Sequence, residues 1–568
     1  MNYTVERIAS IVEGEIINSS NKDLVVRDLL FDSRLLVTPD NTLFFSLKSN
    51  RNDGCKYIDD LYEKGVRMFV VEKSDSISKI IENKDDAAFI LVDDTLKSLQ
   101  KTAASHRENF DIPIIGITGS NGKTVVKEWL YQILSPEISV VRSPKSYNSQ
   151  IGVPMSVWQI NDSHDIAIIE AGISRPDEMH NLKDIIKPTI GIFTNIGQAH
   201  GKNFDNIDDK IDEKLKLFSD VQTLIYCQDY KEIADKVKRL NINTFTWSRN
   251  DDAADVKICS IEKEKDNTTI EAFVKSQRTT VNGQQDSVKI TIPFIDDASI
   301  ENAIHCWTTA LMLNMDNDVI ARKMEYLSPV AMRMELKSGI NNCDIIDDSY
   351  NSDFNALTTA LDFMNQQHSH KERVVILSDI LQSELREEEL YDKIAKLLKN
   401  KGVNFVVGIG EAISRQKEKF KIRKEFYKDT KEFLSDYPVE SFHNQLILIK
   451  GARYFGFEKI SKILQEKAHE TILEVNLNNL VKNMNYYRSK LKRDTKLMVM
   501  VKAFAYGSGT FEVSNVLKFH HADYLTVAYA DEGIELRRKG IDLPIMVMTP
   551  EMNTFESIIK NNLEPDIY

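Results

Sequence analysis

The sequence predicts an α/β protein of several domains built on parallel β-sheets, and three observations predict it. Short apolar runs that end in polar residues recur along the chain, as in Asp165–Glu170 and Thr189–Thr194. Buried parallel strands read this way, with functional groups at their carboxyl ends. One such run, Ile112–Ile115, leads into Gly116-Ile-Thr-Gly-Ser-Asn-Gly-Lys-Thr124 and then into a helix-like stretch from Val125 to Leu134. From about residue 328, apolar runs alternate with helix-like segments at the spacing of βαβ units.

The bulk numbers fit that class. A chain of 568 residues holds about three to five domains. A net charge of −13 argues against bulk nucleic-acid binding and against an anionic membrane surface, while leaving room for a local phosphate pocket. The five cysteines (Cys55, Cys227, Cys259, Cys306, Cys343) are odd in number and scattered, which suggests neither a disulfide framework nor a zinc knuckle. Charged residues interrupt the apolar positions of the N-terminus, so it does not read as a signal peptide. No stretch approaches the roughly 20 apolar residues of a membrane span. The expected compartment is the cytoplasm.

In chain order, Val5, Ile8, Ile11 and Val12 share one helical face. Strand-like runs follow at Thr42–Leu47 and Val66–Val71, and these belong to a first unit, 1–98. A helix from Leu99 to Glu108 opens the second, 99–327. Within it, residues 251–295 turn polar and Thr/Val-rich, with Asn282-Gly283 as a hairpin signal. The third unit, 328–466, has strand-like runs at Cys343–Ile346, Val374–Leu377, Phe405–Gly408 and Leu446–Ile449, and a helix over Glu384–Lys399. The fourth, 470–568, has Thr495–Val501, Tyr524–Ala528 and Pro544–Met548. The chain stops at Tyr568, in what reads as the middle of a domain.

The chemistry starts at the glycine-rich turn. Strand, turn, Lys-Thr and helix are the order a phosphate cradle needs. Backbone N–H groups of the turn and helix start face the anion, Lys123 adds a point charge, and Thr124 offers its hydroxyl to Mg²⁺. The strict pattern has glycine where this chain has Ile117, and the extra glycines sit at Gly116 and Gly119. Glu170 ends one predicted strand and His200 lies just beyond the next. If those strands flank the Ile114 strand, Glu170, His200 and Thr124 converge as oxygen and nitrogen donors for Mg²⁺ beside ATP phosphates. Lys214 lies on an amphipathic helix and reads as a solvated lysine. Asp347-Asp348, at a strand end, suits ribose binding, cation orientation, base catalysis or the capping of a loop. Arg333 suits a phosphate in a neighbouring domain or a surface ion pair. Lys502 directly follows an apolar strand, where a lysine is either ordinary or the Schiff-base partner of pyridoxal phosphate.

Taken together, residues 1–466 resemble the Mur ligases of peptidoglycan synthesis. Phe31-Asp-Ser33-Arg34 and Asn41–Lys48 look like that family's UDP-substrate domain, with Ser33 and Arg34 at the uridine-diphosphate contact. Thr118–Thr124 looks like its ATP loop, with Gly119, Ser120, Asn121, Gly122, Lys123 and Thr124 around the nucleotide. Asn148–Pro154 and Asp347-Asp-Ser-Tyr-Asn351 most resemble the member that adds D-alanyl-D-alanine, and neither motif of the sibling adding the third residue is found. The resemblance implies a UDP-substrate domain, a P-loop ATPase-like central domain and a Rossmann-like C-terminal domain. It also implies ATP and Mg²⁺ as cofactors, and UDP-N-acetylmuramoyl-tripeptide and D-alanyl-D-alanine as substrates. Asn148, Tyr350 and Asn351 are then substrate contacts, Asn302 an adenine-side contact, and Arg333 and Asp347 nucleotide contacts brought in by closure. Lys214 aligns with the family's carbamylated lysine; an unmodified cation would repel a nearby metal.

The segment from about 470 resembles the N-terminal part of alanine racemase. Val501-Lys502-Ala-Phe-Ala-Tyr506-Gly507-Ser-Gly509 looks like its pyridoxal-phosphate motif, with Lys502 and Tyr506 at the cofactor and departures at Phe504 and Ser508. This implies a partial (β/α)₈ barrel. Whole barrels take about 250 residues, so the expectation is a ligase–racemase fusion cut short, without the later-domain tyrosine base. A complete racemase part is expected to dimerise and the ligase part to be monomeric. Two alternatives stay open on sequence: a folate-polyglutamylating ligase with a related ATP core, and a C-terminal segment that only docks.

Overall fold

The structure is a computed structural model. It describes residues 3–567 except 18–21, 37–38, 50–51, 75–76, 136–137, 145, 174, 198–205, 265–266, 276–279, 282–283, 286, 331–334, 350–351, 353, 368–369, 381–384, 467–474, 493–494 and 508. Of the sequence-derived site residues, His200, Arg333, Tyr350 and Asn351 lie outside the described residues.

The first unit opens with helix α1 (Val5–Val12), whose Val5, Ile8 and Val12 are buried as their spacing predicts; Thr4 caps it by accepting from the Arg7 N–H. Its strands are β1 (Glu15–Ile17), β2 (Asp28–Leu30), β3 (Thr42–Phe45), β4 (Met68–Glu72) and β5 (Ala88–Val92), in the order β1-β5-β4-β3-β2. All pairs are parallel except β1–β5. Alternate residues fill two cores: Leu43, Phe45 and Val70 on one face, Phe44, Phe69 and Phe89 on the other. Helix α2 (Thr95–Arg107), capped by Asp94, spans the sequence-predicted boundary at 98–99. Its Leu99 packs in the first unit's core and its Ala103 in that of the second.

The second unit is a nine-stranded sheet. Its elements are β6 (Ile114–Thr118), α3 (Lys123–Leu134), β7 (Val140–Arg142), β8 (Ile166–Glu170), β9 (Ile190–Phe193), α4 (Ile207–Leu215), β10 (Thr223–Cys227), β11 (Asn243–Ser248), β12 (Val256–Lys263), β13 (Thr268–Val274), β14 (Val288–Ile292) and α5 (Asp297–Met312). The order is β7-β8-β6-β9-β10-β11-β12-β13-β14, parallel through β12 and antiparallel from there. The polar 251–295 stretch thus extends the same sheet as half-exposed antiparallel strands, which is why its pattern alternates. Asn282 and Gly283 lie outside the described residues; the segments flanking them, Thr280–Val281 and Gln284–Gln285, pair antiparallel. β6 lies between β8 and β9, so the ends of three strands meet at one edge.

The third unit holds β15 (Glu335–Gly339), β16 (Cys343–Asp348), α6 (Phe354–Gln366), β17 (Glu372–Ser378), α7 (Glu387–Asn400), β18 (Phe405–Ile409), β19 (Arg423–Tyr427), β20 (Gln445–Lys450) and α8 (Glu458–Leu464), in the order β15-β16-β20-β17-β18-β19. The sequence pattern missed two edge strands. β19 reads Arg-Lys-Glu-Phe-Tyr, and β15 is antiparallel to β16, so the sheet is mixed rather than all parallel.

The fourth unit has α9 (Leu477–Arg488), β21 (Met498–Met500), α10 (Thr510–Phe519), β22 (Tyr524–Val527), α11 (Ala530–Arg538), β23 (Ile545–Val547) and β24 (Glu564–Pro565). The four strands are parallel and in sequence order, as the start of a (β/α) barrel requires. No helix among the described residues is long and apolar enough to cross a membrane.

Candidate active site

The phosphate loop runs from β6 into α3. Gly119 has φ +148°, and a Cβ there would stand 2.0 Å from Thr194 Oγ1. Gly122 has φ +81°, and a Cβ would stand 2.2 Å from Asn302 Oδ1. Both positions therefore demand glycine, for conformation and for space. The Ser120 and Asn121 N–H groups are already committed, to Asn195 O and Oδ1 at 2.9 Å each. At the start of α3, Gly122 is the N-cap residue and no side chain caps the helix. Uncapped first-turn N–H groups and the helix dipole point at the space above the loop, the arrangement that binds phosphate.

Lys123 is half-buried, its Nζ donating to the carbonyls of Gly119 (2.8 Å) and Ser120 (3.3 Å). Thr124 Oγ1 donates to Glu170 Oε2 at 3.1 Å, and Asn148 Nδ2 donates to the same oxygen at 3.4 Å. The sequence-based convergence of Thr124 and Glu170 is thus met, and Asn148 joins them. A hydroxyl and a carboxylate this close are oxygen donors suited to Mg²⁺, which needs few protein ligands when phosphates and waters complete its shell. Among the described residues no cluster of three or more His, Cys, Asp or Glu could hold a metal by itself.

Lys214 is not the solvated lysine its helix suggested. It is 2 % exposed and its Nζ donates to Gly119 O at 3.0 Å, under the phosphate loop. Burial, then the neighbouring Lys123 and Lys210, hold its amine well below the usual lysine range. A polar helix face normally meets water, but here α4 lies beneath the loop.

A cavity of about 750 Å³ adjoins the loop between the second and third units. Asn121, Gly122 and Asn302 line its loop end. Trp129 and Phe294, stacked with centroids 4.8 Å apart, give it an apolar wall. Glu301 lies on it with both carboxylate oxygens accepting from Tyr230 OH at 2.9 Å, and burial raises its carboxyl above the usual range. The third unit contributes Asp348 and Lys450, ion-paired at 2.6 Å.

Asp347 does not reach this cavity. Its carboxylate is buried on the other side of β16, accepting from Ser461 Oγ (2.6 Å), Ser349 Oγ (2.6 Å) and Lys337 Nζ (2.9 Å). Adjacent strand residues face opposite ways, so the acid that lines the cavity is its neighbour Asp348. Sequence reasoning also missed Lys450, although it ends an apolar strand as Glu170 does, and Lys127, one helical turn beyond Lys123.

Ser33 and Arg34 form a short 3₁₀ turn after β2, where Asp32 accepts from the Arg34 N–H at 3.1 Å and pairs with its guanidinium at 2.6 Å. They do not line the cavity. Lys502 follows β21, half-buried, and its amine has no hydrogen bond or ion pair among the described residues. Ala503 to Tyr506 all take left-handed φ of 50–58°, held by the Ala503 N–H donating to Glu532 at 2.6 Å. Tyr506 is exposed, its OH donating to Met500 Sδ at 3.0 Å. The uncommitted amine at a strand end fits attachment of pyridoxal phosphate.

Comparison with known proteins agrees along the chain. A model of the Mur ligase middle domain matches residues 117–310, one of the Mur ligase glutamate ligase domain 332–453, and one of the alanine racemase N-terminal domain 475–568. The UDP-N-acetylmuramoyl-tripeptide–D-alanyl-D-alanine ligase of Bacillus subtilis (strain 168) is 24 % identical over 471 residues, covering 82 % of this chain and 98 % of that one. MurF from Acinetobacter baumannii superposes with TM-score 0.68 at 21 % identity, covering 82 % of this chain and 99 % of its own. MurF ligase from Thermotoga maritima, solved in complex with ADP, gives 0.63 at 21 %, covering 78 % and 98 %. These two likenesses carry the fold.

Proposed function

The chain belongs to the Mur ligase family, and on that footing we propose that it is an ATP-dependent ligase joining D-alanyl-D-alanine to UDP-N-acetylmuramoyl-tripeptide in peptidoglycan synthesis, with an alanine racemase N-terminal domain appended. One observation carries the reading: the uncapped start of α3, Lys123, and the Thr124–Glu170 pair gather at the mouth of a nucleotide-sized cavity.

In this reading the triphosphate lies across the α3 N-terminus, with its base toward Trp129, Phe294 and Asn302. The N–H groups of Gly122 to Thr124 and the Lys123 ammonium neutralise charge on the transferring phosphoryl group. Thr124 and Glu170 would hold Mg²⁺, which supplies further neutralisation of the phosphates. The terminal carboxylate of the tripeptide attacks the γ-phosphorus and ADP leaves, giving an acyl phosphate. The amine of D-alanyl-D-alanine adds to that carbonyl, loses a proton, and phosphate departs as the amide forms. Burial and the neighbouring Lys123 and Lys210 lower the amine of Lys214 toward the neutral form, which is the form able to add carbon dioxide; carbamylated, it would place a negative group beside the cation cluster of Lys123 and Lys210. Asp348 and Lys450 are the third unit's contribution to the closed site, in place of Asp347. Ser33 and Arg34 would take the uridine diphosphate. Lys502 would hold pyridoxal phosphate, which supplies an electron sink for amino-acid chemistry.

The deciding experiment incubates the protein with ATP, Mg²⁺, UDP-N-acetylmuramoyl-peptides and a panel of amine acceptors, and scores products by mass spectrometry. D-alanyl-D-alanine adducts are expected, with ADP formed one for one. Lys123→Ala should lower phosphate release by at least a thousandfold. Turnover retained in that variant would refute the role of the loop.

A further inference from the structure

The appended fourth unit meets the first unit in a particular way. The cleft between them, about 940 Å³, is lined by residues at the amino-terminal ends of both parallel sheets. On one wall Arg27 and Asp28 lie at the start of β2, Asn41 just before β3 and Arg67 just before β4. On the other, Lys496 precedes β21, Asp523 precedes β22 and Pro544 precedes β23. Ser33, Arg34 and Lys502 all lie beyond the carboxyl ends of their strands, so the cleft is separate from both family sites.

Its charge is unlike that of the chain. Arg27, Lys64 and Arg67 from the first unit face Arg488, Lys492, Lys496 and Lys518 from the fourth, in a protein of net charge −13. The acids lining the cleft, Asp28, Asp40 and Asp523, are fewer than its basic residues and do not balance them. Asp28 is taken by His521, whose Nε2 stands 2.8 Å from its Oδ1 across the interface. Asp523 accepts from the Leu497 N–H at 2.8 Å. Lys64, Arg67 and Lys518 pair with Asp60, Asp86 and Asp542. Arg488 donates to the carbonyls of His520 and His521. Arg27, Lys492 and Lys496 are exposed and have no ion pair among the described residues. Positive groups held on two facing walls repel each other, and that repulsion is relieved by an anion with several charges along its length. A small-molecule site commonly occupies about 300–1,000 Å³, so the room is that of a nucleotide rather than of a nucleic acid.

We propose that this inter-unit cleft binds an organic polyphosphate of nucleotide size, by its phosphate chain, independently of the loop at Gly122. The bound anion would bridge the two units through Arg27 on one side and Lys492 and Lys496 on the other.

The test uses the full chain carrying Lys123→Ala, which disables the loop. Calorimetric titration with inorganic tripolyphosphate should give saturable binding that weakens as salt is added. Adding Arg27→Ala, Lys492→Ala and Lys496→Ala should weaken it at least tenfold; all three side chains are exposed, and an unchanged melting curve checks the fold. The same titration with ATP separates a site that reads only the phosphate chain (equal affinity) from one that also holds the nucleoside (tighter); both outcomes support the proposal. Absence of saturable binding, or an affinity unmoved by the triple substitution, overturns it. Ligase activity measured without Lys123→Ala tests the amide-forming reading alone, so the two proposals fail separately.

Discussion

Lys127 shows how much of this site depends on one side chain that touches no nucleotide. It is fully buried, pairs with Glu170 at 3.1 Å and Glu128 at 2.9 Å, and donates to Ser143 O at 2.8 Å. Glu128 in turn holds Arg142 at 2.9 Å. A carboxylate of zero exposure would be costly without such a partner, so Lys127 pairs with Glu170 and keeps it aimed at Thr124. Lys127→Met should destabilise the central unit by about 3–5 kcal/mol, as loss of one partner of a buried pair does. It should also lower ligase kcat/KM at least tenfold; urea unfolding and steady-state phosphate release check the two. At this scale the sequence was only partly legible. Lys123 and Thr124 could be read because their loop is local in the chain and its chemistry constrains each position. Lys214 could not be read from its helix pattern, only through the family resemblance, because the group it contacts, Gly119, is 95 residues away. Asp347 and Asp348 could not be told apart, because which of two neighbours faces the cavity is set by the pairing of β16 with β15 and β20.

The elements were legible wherever an apolar run had to be buried on both faces. β6, β8, β9, β17 and β20 all fall on such runs, and their alternate residues separate into two cores. Edge strands β15 and β19 escaped because one side of each meets solvent, and charged residues are acceptable there. The helix behind the nucleotide cavity, α5, is held by a buried imidazole. His305 Nε2–H donates to Thr194 O at 2.8 Å and Nδ1 accepts from Trp247 Nε1–H at 3.2 Å, tying α5 to β9 and β11. The Nδ1 bond requires the neutral ring, and burial lowers its pKa to about 4. A histidine with a depressed folded value adds stability that is complete above its unfolded pKa of about 6.5. That stability declines as the pH falls and is gone below about 4. His305→Gln should therefore melt lower than the parent at pH 7.5 and flatten the loss of melting temperature between pH 6.5 and 4.5, followed by circular dichroism.

At the scale of the whole molecule, four sheets of four or more strands are strung along one chain, and the cavity beside the phosphate loop draws on the second and third units. The fourth keeps its own core, built on Leu525, Val527, Ile545 and Val547. Its cofactor chemistry should then be separable from amide formation. Lys502→Ala is expected to abolish the visible band, near about 420 nm, that pyridoxal phosphate gives when held by a lysine, while ligase kcat stays within twofold. Loss of ligase turnover in that variant would instead tie the two halves together. The order of units was legible because each carries its own motif; how they join was not, since the Asp28–His521 contact belongs to no motif.

The amino-end to amino-end meeting of the first and fourth sheets has a consequence for traffic. Ser33 and Lys502 lie beyond the carboxyl ends of their strands, and neither lines the cleft the two units share. Whatever small molecule is released at one mouth must diffuse through bulk solvent to reach the other. Joining the two units in one chain therefore fixes their ratio without giving either a private supply, and a scavenger added to the medium should intercept anything passing between them.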